Sequence, residues 1–168
     1  MRKTKKDSAE QESRAAGILD GRTVIASGAF WDKKSDVVSE KYRVECKITG
    51  KEQYSLKLKT WNKIREEALK SDRQPLMFIT LTVWRGVEPV NYDLIVFDFS
   101  TFGYFLTSEE RKEEWSYKIT EKQSAIIDEK SNKTFVEFFD RNRITHSLGI
   151  CDVECFKELE RRYEQEWG

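Results

Sequence analysis

The chain has 168 residues, which is the size of one domain or of one domain with an extension. Charged residues make up 36% of it and hydrophobic residues 38%, including five Trp, ten Phe and six Tyr, so a packed core is possible. The three cysteines argue against a disulfide framework, and no stretch approaches the ~20 apolar residues of a membrane helix.

The net charge of zero hides two halves of opposite sign. Residues 1–75 carry 18 Lys and Arg against 12 Asp and Glu, and residues 76–168 carry the reverse. A basic half that also contains clustered carboxylates suits a polyanion held through a metal ion, although two solvated faces of opposite sign would give the same counts.

The amino terminus lacks the apolar run of a signal peptide. We therefore expect a soluble, cytoplasmic protein (in the host cytoplasm if phage-encoded) with no membrane partner and no small-molecule cofactor.

The first half of the chain alternates predicted helices and strands. Ser8 is a candidate helix cap, and Asp20-Gly21 predicts a turn after that helix. The predicted elements are a flexible basic arm (1–7), a helix (8–19), a strand (22–27), a loop (28–35), a strand from 36, a strand (42–48), a polar loop (49–54), a helix (55–72) and strands at 76–84 and 92–99.

The passage from the strand at 42–48 through the helix at 55–72 to the strand at 76–84 has the length of a crossover unit. One stripe of that helix at the helical period is apolar: Leu58, Trp61, Ile64, Ala68 and Leu69. These patterns predict an α/β (α+β) fold, with a mixed β-sheet flanked by helices.

The second half gives weaker patterns. Thr107 and Glu110 have the spacing of a capping box and predict a short helix to Trp115, and Asp152 is a candidate cap for a last helix over 153–167. Strands are predicted within 116–127 and at 134–139. We expect residues 8–99 to form the core and residues 100–168 to form a C-terminal extension packed on the same domain.

The strand at 42–48 carries the most informative pattern. Side chains alternate between the faces of a strand, so Glu45 and Lys47 share one face while Val44 and Cys46 share the apolar one. Asp36 precedes them on the neighbouring strand. This arrangement is typical of metal-dependent nucleases, in which a carboxylate and a lysine hold a cation close to a phosphodiester.

Hydrolysis of a phosphodiester requires an activated water and an offset for the charge of the transition state, and a divalent metal ion provides both. Mg²⁺ prefers oxygen ligands. Asp36 and Glu45 are candidate ligands, with the carbonyl of Cys46 as another and Glu12 as a further acidic ligand from the first helix. Lys47 would orient the water or stabilise the developing charge.

An ordinary explanation of this pattern stays open. Glu45 and Lys47 would also form a surface ion pair, which is worth at most ~1 kcal/mol. A second Glu-x-Lys run, Glu110-Arg111-Lys112, lies among exposed helix charges and is interpreted as a solvated helix face.

The wider order of residues resembles the PD-(D/E)xK nuclease superfamily, and within it the archaeal and phage Holliday junction resolvases. The resemblance covers roughly residues 8–85. The matching residues are Glu12, Gly21-Arg22, Ser27-Gly28, Lys33-Lys34, Ser35-Asp36-Val37, Val44-Glu45-Cys46-Lys47, Ser55-Leu56-Lys57-Leu58, Trp61-Asn62-Lys63-Ile64, Glu67-Ala68 and Gln74-Pro75-Leu76.

This resemblance implies a homodimeric, Mg²⁺-dependent endonuclease with a restriction-endonuclease-like fold, in which Mn²⁺ would substitute for Mg²⁺. Such an enzyme cuts four-way DNA junctions by paired nicks that leave 5′-phosphate and 3′-hydroxyl ends. It also implies that Glu12, Asp36 and Glu45 are metal ligands and that Lys47 is the catalytic lysine. Ser35 replaces the proline of the superfamily's name, and residues 100–168 have no counterpart in the compact resolvases.

DNA contacts are expected beside this site. Ser27 would contact the DNA backbone, as the resemblance implies, and Phe30 or Trp31 would stack on an unpaired base or else pack at a core or dimer surface. The candidate DNA-binding residues are Arg22, Ser27, Lys33, Lys34, Lys51 and Lys57, and Lys59 is a further candidate phosphate contact.

Two other functions remain open: another structure-specific or sequence-specific nuclease with the same site, and a non-catalytic DNA-binding protein of the same fold.

The run His146, Cys151 and Cys155 lacks a fourth zinc ligand, so the two cysteines, one helical turn apart, are expected to pack.

Overall fold

The computed structural model describes residues 3–24, 36–120, 122–139 and 145–167, except for the side chain of Thr145. Helices and strands follow one another in these ranges, with short 3₁₀ turns at Gly103–Phe105 and Glu129–Ser131. The elements in chain order are α1 (Lys5–Ile18), β1 (Gly21–Thr23), β2 (Val37–Ser39), β3 (Tyr42–Ile48), β4 (Tyr54–Lys57), α2 (Leu58–Lys70), β5 (Gln74–Arg85), β6 (Glu88–Asp98), α3 (Phe99–Phe102), α4 (Ser108–Glu113), β7 (Ser116–Thr120), β8 (Ser124–Ile127), β9 (Thr134–Phe139), β10 (Thr145–Asp152) and α5 (Val153–Trp167).

The main sheet has eight strands in the order β1-β2-β3-β5-β6-β10-β9-β7, and β4 pairs with β8 in a separate small sheet. β3 and β5 are parallel, with Val44 opposite Leu76 and Lys47 opposite Ile79, and α2 forms the crossover between them. β7 and β9 are also parallel, whereas the other neighbours in this sheet are antiparallel. The expected mixed sheet flanked by helices is confirmed.

Both faces of the sheet are covered, which explains the apolar run of β5. The cluster on one face joins the sheet to α1, α3 and α5, with Ala15, Phe102 and Phe156 among its buried residues. The cluster on the other face joins it to α2 and the small sheet, with Trp61 and Leu56 among its buried residues. Residues 75–83 of β5 are all buried because their side chains alternate between these two clusters.

Residues 100–168 contribute strands to the same sheet as residues 8–99. β10 lies between β6 and β9, with Ile150 opposite Val96 on one side and Thr134 on the other. α5 covers the sheet through Phe156 and Leu159. Asp152 caps this helix as expected, because its Oδ1 accepts a hydrogen bond of 2.8 Å from the Cys155 N–H.

The first helix begins earlier than predicted. Thr4, not Ser8, is its cap: Thr4 Oγ1 accepts from the Asp7 N–H at 3.2 Å, and Asp7 Oδ2 accepts from the Thr4 N–H at 2.7 Å. Residues 5–7 of the predicted flexible arm therefore belong to α1. A capping box with Asp in the third position satisfies the same free backbone groups as the usual Glu.

The helix predicted from Ser55 begins at Leu58, because residues 54–57 form strand β4. Ser55 lies opposite Ile126 and Leu56 lies opposite Ala125 in the pairing with β8. The Leu58 N–H donates to the Gln123 carbonyl at 2.9 Å, so a residue more than sixty positions away marks the start of the helix. This partner is not visible from local sequence.

Other boundaries in the predicted β regions also differ. The strand expected at 22–27 is described as β1, Gly21–Thr23, and residues 25–27 lie outside the described part of the chain. The strand region at 116–127 is two strands in different sheets, β7 and β8. Strand β10 was not predicted, since its sequence, Thr-His-Ser-Leu-Gly-Ile-Cys-Asp, mixes polar and apolar residues without a clear alternation.

Gly149, inside β10, is expected to tolerate no side chain. A Cβ at this position would lie 2.2 Å from Cζ of the buried Phe97 ring. Gly149→Ala should lower the free energy of unfolding by about 1–3 kcal/mol through overpacking. The matched control is Gly17→Ala in α1, where an added Cβ would have no neighbour within 4 Å. That variant should gain up to about 1 kcal/mol from helix propensity. Urea unfolding curves would measure the stability of both variants. Equal unfolding midpoints for Gly149→Ala and Gly17→Ala would contradict this account.

Candidate active site

β3 presents Glu45 and Lys47 outward on the α2 side of the sheet and buries Val44 and Cys46 on the α1 side, as the alternation predicts. Lys47 Nζ lies 2.8 Å from Glu45 Oε1. The Glu45 side chain is 17% exposed and that of Lys47 38% exposed, so the pair is half-buried but open to a ligand.

Asp36 lies directly before β2 and is held against β3 at two points. Its N–H donates to the Val44 carbonyl at 3.0 Å, and its Oδ2 accepts from the Cys46 N–H at 2.8 Å. The carboxylate therefore lies beside the strand that carries Glu45 and Lys47. This contact between Asp36 and the backbone of Cys46 joins the two halves of the predicted motif.

The charged groups of the site shift one another's pKa values. The pKa of Asp36 is raised to about 6, chiefly by burial, and the negative charges of Glu45 and Glu12 contribute to this rise. The Cys46 N–H and the ammonium group of Lys47 act in the opposite direction. Burial and Glu45 also raise the pKa of Glu12. The three predicted carboxylates therefore influence one another, and Lys47 offsets part of their charge.

Gln11 positions α1 against the site, and it was missed by sequence analysis. Its side chain is 1% exposed, and its Nε2 donates to the Lys47 carbonyl at 2.7 Å and to Thr80 Oγ1 at 2.8 Å. A longer contact of 3.2 Å reaches the Phe78 carbonyl. Gln11 thus fixes Glu12, its neighbour in α1, relative to β3 and β5. A polar residue with three partners on other elements has no local sequence pattern.

Thr80 connects this contact to a second ion pair. Thr80 Oγ1 donates to Asp93 Oδ1 at 2.6 Å, and Arg14 makes a two-point contact with the Asp93 carboxylate at 2.8 and 2.9 Å. Arg14 lies on α1, three residues after Gln11. The first helix is therefore anchored to β5 and β6 by polar contacts, in addition to Ala15 and Ala16 in the core.

A cavity of about 350 Å³ opens beside Glu45 and Lys47, between β3 and α2. The α2 side chains that line it are Lys59, Thr60, Lys63, Ile64 and Glu67. Within the described ranges, neither Lys59 nor Lys63 is in an ion pair. Lys63 was not predicted as a site residue, although its spacing of four from Lys59 places both lysines on one helix face.

The donor atoms at this site fit Mg²⁺ in type. Asp36 and Glu45 offer carboxylate oxygens, and Mg²⁺ needs only one or two of these because water and substrate complete its coordination. Across residues 3–24, 36–120, 122–139 and 145–167, however, no three His, Cys, Asp or Glu side chains are grouped closely enough to hold a metal ion. The roles of Glu12 and of the Cys46 carbonyl as ligands stay predictions.

The predicted DNA-binding residues fall into two groups. Arg22 on β1, Lys51 in the loop after β3 and Lys57 at the end of β4 are exposed, and none of them lines the cavity beside Lys47. The other predicted contacts lie outside the described residues: Ser27, Lys33, Lys34 and the aromatic pair Phe30 and Trp31. DNA binding by either group stays a prediction.

The sequence matches no protein-family model and no curated protein. None of the helices in the described part of the chain combines the length and the apolar character needed to span a bilayer.

The raised pKa of Asp36 predicts a stability gain on neutralising it. Below pH 3.8 the Asp36 carboxyl is protonated in both the folded and the unfolded chain, so it does not lower the free energy of unfolding. Between this pH and about 6 the unfolded chain loses the proton first, so wild-type stability falls as pH rises. In the absence of divalent metal, Asp36→Asn should therefore gain about 1–2 kcal/mol over wild type between pH 4 and pH 7.

Urea unfolding at a series of pH values would measure this difference. The exposed Glu40→Gln in the β2–β3 turn is the control and should show no such rise. A difference for Asp36→Asn that stays constant from pH 4 to pH 7 would contradict the burial of a charged Asp36.

Proposed function

We propose that this protein is a Mg²⁺-dependent endonuclease that hydrolyses phosphodiesters in DNA. One observation carries the proposal: the Asp36 carboxylate is held against β3 beside Glu45 and Lys47, and these two residues line a cavity with further lysines. Glu12 is near enough for its charge to raise the pKa of Asp36. Clustered acids with raised pKa values are costly to a fold, and such clusters are concentrated at functional sites. A cation between the acids would remove this cost.

Each side chain of the site would have a different role in the reaction. A bound Mg²⁺ ion would supply an activated water and an offset for phosphate charge. Asp36 and Glu45 would hold that ion, and Glu12 would approach it from α1. Lys47, which is paired with Glu45 in this structure, would turn towards the phosphate and stabilise the charge of the transition state. Gln11, through the Lys47 carbonyl, would keep the strand in register with α1.

A four-way DNA junction is the substrate we propose, by similarity of residue order to the Holliday junction resolvases. Paired symmetric nicks need two active sites, so the proposal includes a homodimer with two-fold symmetry. The restriction-endonuclease-like fold belongs to the same proposal. The parallel β3–β5 pair with α2 across it, and α1 on the opposite face, is compatible with that fold.

A non-catalytic DNA-binding role is the second candidate. It is favoured by the ion pair of 2.8 Å between Glu45 and Lys47 and by the absence of three grouped metal-binding side chains among the described residues. In that case the lysine-lined cavity would bind phosphate without hydrolysis. A cleavage assay separates the two functions, and a panel of junction, fork, nicked and linear DNA separates a resolvase from another nuclease.

Asp36→Asn should lower Mg²⁺-dependent cleavage of a four-way junction by more than about a hundredfold, because it removes one charge from the metal site. Junction binding in Ca²⁺, measured by gel shift, should be largely retained. The variant is expected to fold, since Asn can still accept from the Cys46 N–H. Wild-type protein that cuts none of the four substrates with Mg²⁺ or Mn²⁺ would overturn the nuclease proposal and favour the binding role.

The double variant Lys59→Ala/Lys63→Ala should weaken junction binding at every sequence tested and reduce the salt dependence of binding. Each phosphate contact contributes about one unit to the slope of log K against log salt, so the slope should fall by about two. The control, Lys70→Ala/Lys112→Ala, removes two exposed lysines that do not line the cavity and should leave the slope within about half a unit. Equal slopes for the two double variants would remove this cavity from the DNA interface.

A further inference from the structure

Cys151 and Cys155 lie at the junction of β10 and α5, and their side chains interact. Cys151 is fully buried in the same core cluster as Phe156, and Cys155 is partly buried against that cluster. The contact is made by chain geometry, since the strand ends at Asp152 and the first turn of α5 brings Cys155 back over Cys151. His146 precedes Cys151 by five residues on the strand, which places it on the opposite face and away from the thiols.

The surroundings of Cys155 make it the reactive member of the pair. It lies in the first turn of a helix of 15 residues, where the free N–H groups favour a negative charge. The hydrogen bond from Cys151 lowers the pKa of the Cys155 thiol, and the ammonium group of Lys133 lowers it further. Burial acts against this shift, as do the carboxylates of Asp152 and Glu114. For Cys151, burial raises the pKa first and the contact with Cys155 adds to it.

A reagent can reach only one of the two sulfurs through the cavity beside them. Cys155 is partly exposed and lines a cavity of about 430 Å³, whose wall includes Lys133, Asn132 and Trp115. Cys151 is 0% exposed and does not line it. An accessible thiol with a lowered pKa and a buried thiol behind it form the arrangement in which one sulfur attacks an oxidant and the other resolves the product.

We propose that Cys151 and Cys155 form a peroxide-sensitive dithiol, with Cys155 as the attacking sulfur and Cys151 as the resolving sulfur. The Cys155 thiolate attacks one oxygen of hydrogen peroxide, the O–O bond breaks, and hydroxide leaves, which gives a sulfenic acid on Cys155. Cys151 then loses its proton, its sulfur attacks the sulfur of Cys155, and the sulfenic oxygen leaves as water. Two thiols are oxidised to one disulfide, and one peroxide is reduced to two waters. This inference is independent of the proposed nuclease activity.

The test is mass spectrometry of the folded, full-length protein after brief treatment with hydrogen peroxide and alkylation of the remaining thiols. Both cysteines lie in one tryptic peptide, residues 144–157. That peptide should lose two hydrogen atoms in mass, take up no alkylating agent and recover both thiols in dithiothreitol. At pH 7 and without peroxide, iodoacetamide should modify Cys155 more than about tenfold faster than the buried Cys46.

Variants assign the two roles. Cys151→Ser should stop at the sulfenic acid of Cys155, which dimedone traps, whereas Cys155→Ser should form neither product. Cys46→Ser is the matched control and should form the disulfide like wild type. A wild-type peptide that keeps both thiols would overturn the proposal without reference to any variant. Oxidation of Cys155 to the sulfinic acid while Cys151 stays reduced would also overturn the proposal.

Discussion

The parallel pairing of β3 with β5 is the constraint on which the rest of this structure depends. Seven residue pairs align the two strands, from Tyr42 with Gln74 to Ile48 with Thr80, and a parallel pair needs a crossover, which α2 provides. Because both strands are then covered on both faces, the alternation of β3 is fixed: Val44 and Cys46 must be buried under α1, and Glu45 and Lys47 must face the side of α2. A slip of one residue would bury both charges.

Polar contacts bring the remaining site residues to this strand. The hydrogen bond between the Cys46 N–H and Asp36 holds the edge of the sheet against β3, and Gln11 ties α1 to the Lys47 carbonyl. Both contacts are partly shielded from water, so breaking either would leave a half-buried polar group without this partner. The same shielding raises the pKa of Asp36 to about 6. The arrangement therefore carries a cost in stability, as expected for a functional site of the kind proposed here.

The two proposed sites occupy different parts of the fold. The acidic residues lie around β3, with Glu45 on its α2 side, Asp36 beside it before β2, and Glu12 on α1. The dithiol lies where β10 passes into α5, and it uses a sharp change from strand to helix to bring Cys151 and Cys155 into contact. Lys47 and Lys133 have corresponding electrostatic roles, since each places a positive charge beside groups that become negative.

The sequence by itself determined the features that depend on local period. The alternation of residues 42–48 predicted which side chains of β3 are buried. The helical stripe predicted the buried face of α2 from Leu58 to Ala68, but its last member, Leu69, was wrong because that side chain is 63% exposed. The crossover between parallel strands followed from the lengths of these segments. These predictions succeed because the period of a strand or helix is a property of the backbone itself.

Only the tertiary structure decided the features that depend on distant partners. Residues 54–57 pair with β8 and so form a strand rather than the start of a helix, and β10 gains its place from strands on both sides. Gln11 finds its acceptors on β3 and β5, and Lys63 reaches the cavity beside Lys47 through the packing of α2. The sequence named the charged residues of the site, but the distances between them come from contacts across tens of residues, which no local pattern encodes.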